Sequence, residues 1–310
     1  MILPLSISLN QKIVYTPKGH APITITIKRD DLLHEYVSGN KYRKLKYNLE
    51  EAKRLGYDTL LTFGGAYSNH IVATAAAGNE FGFKTIGVIR GDELATDYEK
   101  TLNENPSLNF AHQQGMNFKF IDRKSYRLKK EKAFIENLKK EFGNFYLIPE
   151  GGTNELAVKG CEEILSEKDK EFDYICCAIG TGGTISGIIN TALPYQKVLG
   201  FPALKGNFHK QEIQPYVNND TNWELINYHF GGFAKINEVL VAFINDFKKQ
   251  TNIQLDPIYN GKMLFGIIDL IKKNTLNRTH KILAIHTGGL QGIMGMNKRN
   301  INNKSLQIHI

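Results

Sequence analysis

The chain has 310 residues, of which 42% are hydrophobic and 23% charged, a globular composition with enough apolar material for one large core or two compact ones. Its three cysteines, Cys161, Cys176 and Cys177, form an odd set without framework spacing, which excludes a disulfide scaffold and leaves buried reduced thiols as the expectation. The net charge of +8 is spread along amphipathic segments with no aromatic interleaving, so the expected role is a solvated surface, with no nucleic-acid partner.

The start, MILPLSISLNQKIVYTP, has neither a basic flank nor a small-residue cleavage pattern, and no apolar run reaches about 18 residues. No leader, no membrane partner and a cytoplasmic location are therefore expected. A β-branched run at 23–28 predicts a strand. A helix follows at 41–55, a strand at 59–63, a helix at 69–81, a strand at 85–89 and a helix at 94–104. Next come a strand at 117–121, a helix at 126–141, a strand at 145–148 and a helix at 155–167. The apolar run 174–179 predicts a strand buried on both faces. A helix at 185–193 and a strand at 197–201 come after it. The polar stretch 206–222 reads as an irregular connection. Helices at 234–250 and 261–273, a strand at 281–286, a polar surface segment at 297–304 and a short closing strand at 305–310 complete the chain.

Short strands alternating with longer helices imply βαβ units and parallel sheets. Two runs of such units, 51–150 and 151–310, suggest two α/β lobes. Ligands in such folds bind beyond the carboxyl ends of the strands or between lobes.

Four glycine-marked segments sit at strand ends or helix starts: Ser38-Gly39-Asn40-Lys41, Gly64-Gly65-Ala66-Tyr67-Ser68-Asn69-His70, Gly180-Thr181-Gly182-Gly183-Thr184 and His286-Thr287-Gly288-Gly289. The third follows a strand and opens a helix, so its amides and the Thr181 and Thr184 hydroxyls suit a phosphate. It lacks the Gly-Lys-Ser/Thr of a nucleotide loop, and its glycines are out of register for a dinucleotide fingerprint. A tight turn without a ligand is the bland alternative. Lys41, at a helix start, would have a depressed ammonium pKa suited to imine chemistry, or would be a plain surface lysine. Lys44 and Lys46 on the same helix are expected at the surface. Ser68 could cap the next helix or shuttle a proton. His70 is open between acid–base group and packed ring. No metal-ligand set stands out.

These residues resemble a known family. The run SGNKYRKLKYNLEEAKRLGYDTLLTFGGAYSNHIVATAAAGNEFGFKTIGVIRG at 38–91 is similar to 1-aminocyclopropane-1-carboxylate deaminases and D-cysteine desulfhydrases. So are Pro149-Glu150-Gly151-Gly152-Thr153-Asn154, CAIGTGGTISG at 177–187, Leu255-Asp256-Pro257-Ile258-Tyr259-Asn260-Gly261-Lys262 and His286-Thr287-Gly288-Gly289. The resemblance implies fold type II of the pyridoxal-phosphate enzymes, like the tryptophan synthase β chain. It has two open twisted α/β domains with pyridoxal 5'-phosphate in the cleft between them. Residues 51–148 would be the smaller inserted domain, and 1–50 with 149–310 the larger, cofactor-binding one. Lys41 would be the Schiff-base lysine, and Asn40 would bond the cofactor phenolate. Gly180, Thr181, Gly182, Gly183 and Thr184 would cradle the phosphate. Ser68 would assist proton transfer, while Asn69 and His70 would bind the substrate carboxylate. Tyr259 would face the substrate, Asn260 would lie near the pyridine nitrogen and Thr287 would line the pocket. A homodimer is implied.

Where the deaminases carry Glu after the motif tyrosine and Leu before the last Gly-Gly, this chain has Asn260 and Thr287; the desulfhydrases carry Thr at both. Ring opening of a cyclopropane should need the stronger electron sink that a Glu provides, and Asn260 carries no charge. The reading therefore favours a small amino-acid substrate, D-cysteine, taken by α,β-elimination to pyruvate, ammonia and sulfide. The alternatives are 1-aminocyclopropane-1-carboxylate deamination to 2-oxobutyrate, elimination or racemisation of another amino acid, and, more distantly, a non-catalytic cofactor-binding protein. Tyr67 replaces the usual Gln. Phe230, with Tyr228 as the other candidate, is expected in place of a second family tyrosine that precedes a glycine. The region 203–233 is shorter than usual.

Overall fold

The computed structural model describes residues 8–218 and 222–310. The leader reading of the first seven residues and part of the 206–222 connection lie outside that range. In chain order the strands and helices are β1 (Asn10–Tyr15), β2 (Ile23–Lys28), α1 (Asn40–Arg54), β3 (Thr59–Gly65), α2 (Asn69–Phe81) and β4 (Lys84–Arg90). They continue with α3 (Tyr98–Glu104), α4 (Pro106–Gln113), β5 (Met116–Ile121), α5 (Arg123–Arg127), α6 (Lys132–Phe142), β6 (Tyr146–Ile148), α7 (Glu155–Cys161) and β7 (Tyr174–Ile179). The rest are α8 (Gly183–Thr191), β8 (Lys197–Pro202), α9 (His209–Ile213), β9 (Trp223–Leu225), α10 (Glu238–Thr251), α11 (Asn260–Lys272), β10 (Ile282–Ile285) and α12 (Gly292–Arg299).

Every expected strand up to 281–286 forms, and the described residues make two sheets. One, in the order β5-β4-β3-β6, is wholly parallel. The other, β1-β2-β10-β7-β8-β9, is parallel except for the antiparallel β1–β2 pair at its edge. β7 is buried on both faces: Cys176 and Ala178 enter one apolar core, and Ile175, Cys177 and Ile179 another. The three cysteines are free and buried.

Several elements differ from expectation for local reasons. The expected helix 94–104 starts only at Tyr98, where the Asp97 side chain accepts from Lys100 N. Asn105 then caps α4 through the amides of Ser107 and Leu108, with Pro106 in the first turn. The expected helix 126–141 is two helices, because Asp122 starts α5 early and the chain turns at 128–131. Segment 305–310 forms no strand. Its backbone bonds to the side chains of Asn245 and Asn297 instead.

Helix α1 is enclosed on several sides. Tyr42, Leu45, Leu49 and Ala52 pack with Leu60, Ala73 and Ala77 from β3 and α2. On another face α7 approaches so closely that a Cβ at Gly160 would stand 2.0 Å from Arg43 O. Lys44 and Lys46 are consequently 2% exposed, not surface residues. Lys46 pairs with Glu163 at 2.7 Å.

Candidate active site

A cavity of about 820 Å³ opens at the carboxyl ends of β3, β7 and β10, lined by loops from both sheets. Lys41 reaches it because of a backbone arrangement at Gly39. That residue has φ 63°, and a Cβ there would stand 2.0 Å from Thr287 O. Glycine alone lets the start of α1 lie directly on the 286–289 turn, and Asn40 N donates to Thr287 O at 3.2 Å. Asp30 secures the same turn. Its carbonyl accepts from Gly39 N, and its buried carboxylate pairs with Arg43 at 3.3 Å.

The half-buried Lys41 donates to Asn40 Oδ1 at 3.0 Å, and Asn40 Nδ2 donates to Thr184 Oγ1 at 2.8 Å. Asn40 thus joins the lysine to the glycine turn. Burial, then the like charge of Lys44, lowers the Lys41 ammonium to about 7. An amine poised near neutrality can act as both nucleophile and base.

The glycine turn carries the chain from β7 into α8, with Gly182 at φ 83°. The first amides of α8 have no acceptor within the helix, so they and the helix dipole favour an anion. Lys44 completes this end. Its Nζ donates to Gly151 O at 3.0 Å, Thr153 Oγ1 at 2.9 Å and Thr181 Oγ1 at 3.3 Å. All three are neutral oxygens, and burial lowers its pKa. A buried ammonium without a charged partner is costly. A phosphate at the turn would supply the missing charge, so these residues fit the phosphate of the expected cofactor. Reasoning from sequence missed Lys44. Its spacing of three from Lys41, which puts both on one helix face, was the available signal.

Ser68 caps α2, its Oγ accepting from Ile71 N at 3.4 Å, and lines the cavity with Asn69 and His70. Asn69 Oδ1 and His70 Nδ1 are buried with no hydrogen-bond partner. Thr62 donates its hydroxyl proton to Ile148 O at 2.8 Å, so it accepts from His70 Nε2 at 2.8 Å. That pattern assigns the proton to Nε2 and leaves Nδ1 a bare acceptor. Burial, Lys41 and Lys44 together hold the ring neutral, well below its usual pKa. A neutral acceptor cannot grip a carboxylate, so any contact expected of Asn69 and His70 with a carboxylate would come from their backbone amides and not from the imidazole. These amides open α2 and have no acceptor within the helix.

Tyr259 lies half-buried with its ring against Gly180, where a Cβ would come within 3.2 Å. Burial first, then Asp256 and Glu150, raise its pKa, so it stays a phenol. Thr287 lines the cavity. Asn260 does not. It is fully buried, Nδ2 donating to Asp256 Oδ2 at 2.7 Å and Gly288 O at 2.8 Å. Its Oδ1 accepts from Thr287 N at 3.1 Å and Thr287 Oγ1 at 3.2 Å. With both donors and its acceptor committed, the Asn260 amide has nothing left to offer a pyridine nitrogen.

The aromatic that faces the cavity from the 228–234 segment is also not the expected one. Phe230 packs on Phe265 in the core, and Tyr228 donates to Asp269 at 2.7 Å. Phe233 lines the cavity, 6.3 Å from the Tyr259 ring. Ala234 after it has φ 55°, the conformation favoured by the glycine of a Tyr-Gly pair. Tyr67 stands at the mouth, packed on Gly295 of α12.

The family model for pyridoxal-phosphate dependent enzymes matches residues 12–288. A Pyrococcus horikoshii protein with a provisional 1-aminocyclopropane-1-carboxylate deaminase name is 33% identical over 290 residues, spanning 86% of this chain and 85% of its own. The mitochondrial bifunctional D-cysteine desulfhydrase/1-aminocyclopropane-1-carboxylate deaminase of Arabidopsis thaliana is 32% identical over 292 residues, 86% of this chain and 72% of its own. The crystal structure of an ACC deaminase homologue superposes with a TM-score of 0.81 at 29% identity, covering 97% of this chain and 95% of that one. With a lysine of lowered pKa at one end of the cavity and an anion cup at the other, these matches show that the chain belongs to the pyridoxal-phosphate dependent enzymes, in the branch of the 1-aminocyclopropane-1-carboxylate deaminases and D-cysteine desulfhydrases.

Proposed function

We propose that the chain catalyses α,β-elimination from a small amino acid, with D-cysteine and water giving pyruvate, ammonia and hydrogen sulfide. The observation that carries this reading is Lys41. Its amine has a lowered pKa and is tied through Asn40 to a glycine turn that faces a second, buried ammonium, Lys44. When bound, pyridoxal phosphate supplies an aldehyde for the substrate amine and a ring that draws electron density from Cα.

The residues then divide the work. The α8 amides, the Thr181 and Thr184 hydroxyls and Lys44 would hold the phosphate, and Asn40 would bond the phenolate oxygen. The amides at the start of α2 hold the substrate carboxylate beside Ser68. The Lys41 amine takes the Cα proton, and Ser68 can pass it on. Tyr259 faces the β-carbon as a neutral phenol while the thiolate leaves with the C–S electron pair. The released enamine takes up water to give pyruvate and ammonia.

D-cysteine is favoured because Asn260, at the position where the resemblance implies an acid in the deaminases, carries no charge, and its amide is sealed away from the cavity. A thiolate leaves readily and asks less of the ring than opening a cyclopropane. The second reading, 1-aminocyclopropane-1-carboxylate deamination, is supported by the names of the relatives above. Keto-acid release from both substrates separates them. Pyruvate from D-cysteine should exceed 2-oxobutyrate from the cyclopropane, the reverse order would overturn the preference, and Lys41→Ala should abolish both.

We also propose a homodimer, a cytoplasmic location and a division into a 51–148 lobe and a lobe of 1–50 with 149–310. The family resemblance supports the dimer, and light scattering of the purified protein tests it. The two sheets support the division. No helix among the described residues is long and apolar enough to cross a membrane.

A further inference from the structure

One side of the cavity is apolar and has no part in the proton transfers above. Leu204, Phe208, Phe233, Ala234, Ile258 and Met296 line it. Ile258 and Met296 belong to a small buried cluster on which Leu204, Ala234 and Tyr259 pack. Phe208, whose ring lies against His209 with centroids 4.2 Å apart, and Phe233 keep 37% and 46% of their surface exposed, so this side holds apolar surface that nothing in the chain covers.

The wall is held in place from inside. Between Phe230 and Ala234 the backbone repeatedly takes positive φ: 52° at Phe230, 91° at Gly231, 125° at Gly232 and 55° at Ala234. Two of these residues are not glycine, so the loop is strained and needs an anchor. Lys262, 2% exposed, provides it by donating to His229 O at 2.9 Å and Gly232 O at 2.8 Å. Lys262 lies in the first turn of α11, three residues after Tyr259, so the start of one helix fixes both the phenol and the loop that carries Phe233.

An unsubstituted cysteine would put only a thiol toward this wall and leave water against the rings. Resting on the elimination reading, we propose that the site is built for cysteine carrying an apolar substituent on sulfur, which Phe233 and its neighbours cover, with Lys262 as a positioning residue. The chemistry balances as before: the Cα–H and C–S bonds break, the sulfur leaves with the electron pair and takes a proton. An S-alkylcysteine and water thus give pyruvate, ammonia and the alkyl thiol. No oxidant or reductant is required.

The test uses the cofactor-loaded enzyme with D- and L-cysteine and their S-methyl, S-ethyl and S-propyl derivatives, following pyruvate. Each added methylene should raise kcat/KM about fourfold until the pocket is filled, the change that burying one methylene produces, about 0.8 kcal/mol. Phe233→Ser should flatten the series. Lys262→Met should raise KM for the S-propyl substrate more than for cysteine, a selectivity that loss of stability alone would not give. Pyruvate from cysteine with a flat or falling series overturns the apolar subsite and leaves the elimination reading standing. No pyruvate from any member overturns both.

Discussion

At the scale of single residues, two lysines three positions apart on α1 behave differently. Lys41 has an amide partner and a depressed ammonium. Lys44 is buried among neutral oxygens, an expensive state until an anion arrives. Lys44→Met should therefore leave the cofactor-free protein as stable or more so, yet weaken pyridoxal-phosphate binding roughly ten- to hundredfold, the loss of a charge-assisted bond worth about 1.5–3 kcal/mol. Equilibrium dialysis beside denaturant unfolding measures both, and unchanged affinity would remove Lys44 from the phosphate site. Lys41 makes a pH prediction. In the cofactor-free protein its pKa is about 7 when folded and near 10.5 when unfolded. The unfolded chain then binds more protons between those values, so this residue's contribution to stability rises with pH from about 7 to 10.5 and its cost is full below 7. Stability profiles of wild type and Lys41→Met should diverge across that window, and parallel profiles would contradict the assignment. Lys41 and the 180–184 turn were legible in the sequence because glycines and helix starts mark them locally. Lys44 was not, because its burial depends on α7 and on the 151–153 loop, distant in the chain. The His70 proton was equally hidden, since a threonine on β3 and a carbonyl on β6 decide it.

At the scale of elements, the Asp256–Asn260 pair joins the start of α11 to the turn after β10. Asp256 accepts from the amides of Ile258, Tyr259 and Asn260 and from the Asn260 side chain. Burial raises its pKa against those bonds, which favour the carboxylate. Asn260→Ala would leave Asp256 Oδ2, Gly288 O and Thr287 N short of partners. Asp256 Oδ2 keeps the backbone amide of residue 260, so two groups, Gly288 O and Thr287 N, lose their partner, and a loss of roughly 2–6 kcal/mol is expected in urea unfolding, from buried groups costing about 1–3 kcal/mol each. A change below about 0.5 kcal/mol would mean that the network is not structural. The sequence marked this segment as important through Tyr259 but placed the Asn260 amide in the cavity, because helix phase at a first turn depends on the residue that caps it, here Asp256. Strands were the most legible elements: their apolar runs need only a sheet. Breaks inside helices were less so, as the 128–131 turn between α5 and α6 shows, although Asn105-Pro106 was a readable start for α4.

At the scale of the molecule, two sheets direct their carboxyl ends toward one cavity, so a ligand there touches both. Pyridoxal phosphate should therefore stabilise the entire fold. At a hundredfold excess over its Kd the gain is about 2.7 kcal/mol, seen as a higher Tm that Lys44→Met reduces. The alternation of strands and helices was enough to expect two sheets and a site at their carboxyl ends. The partner of each wall was not: Phe233 rather than Phe230 lines the cavity, in a loop that Lys262 pins at His229 and Gly232, on either side of Phe230.

Reduction of the cofactor-loaded protein with borohydride, followed by peptide mass mapping, tests the central claim most directly. A phosphopyridoxyl group should be found on the peptide containing Lys41, and Lys41→Ala should carry none. A label on another lysine, or no label in protein saturated with the cofactor, would contradict it.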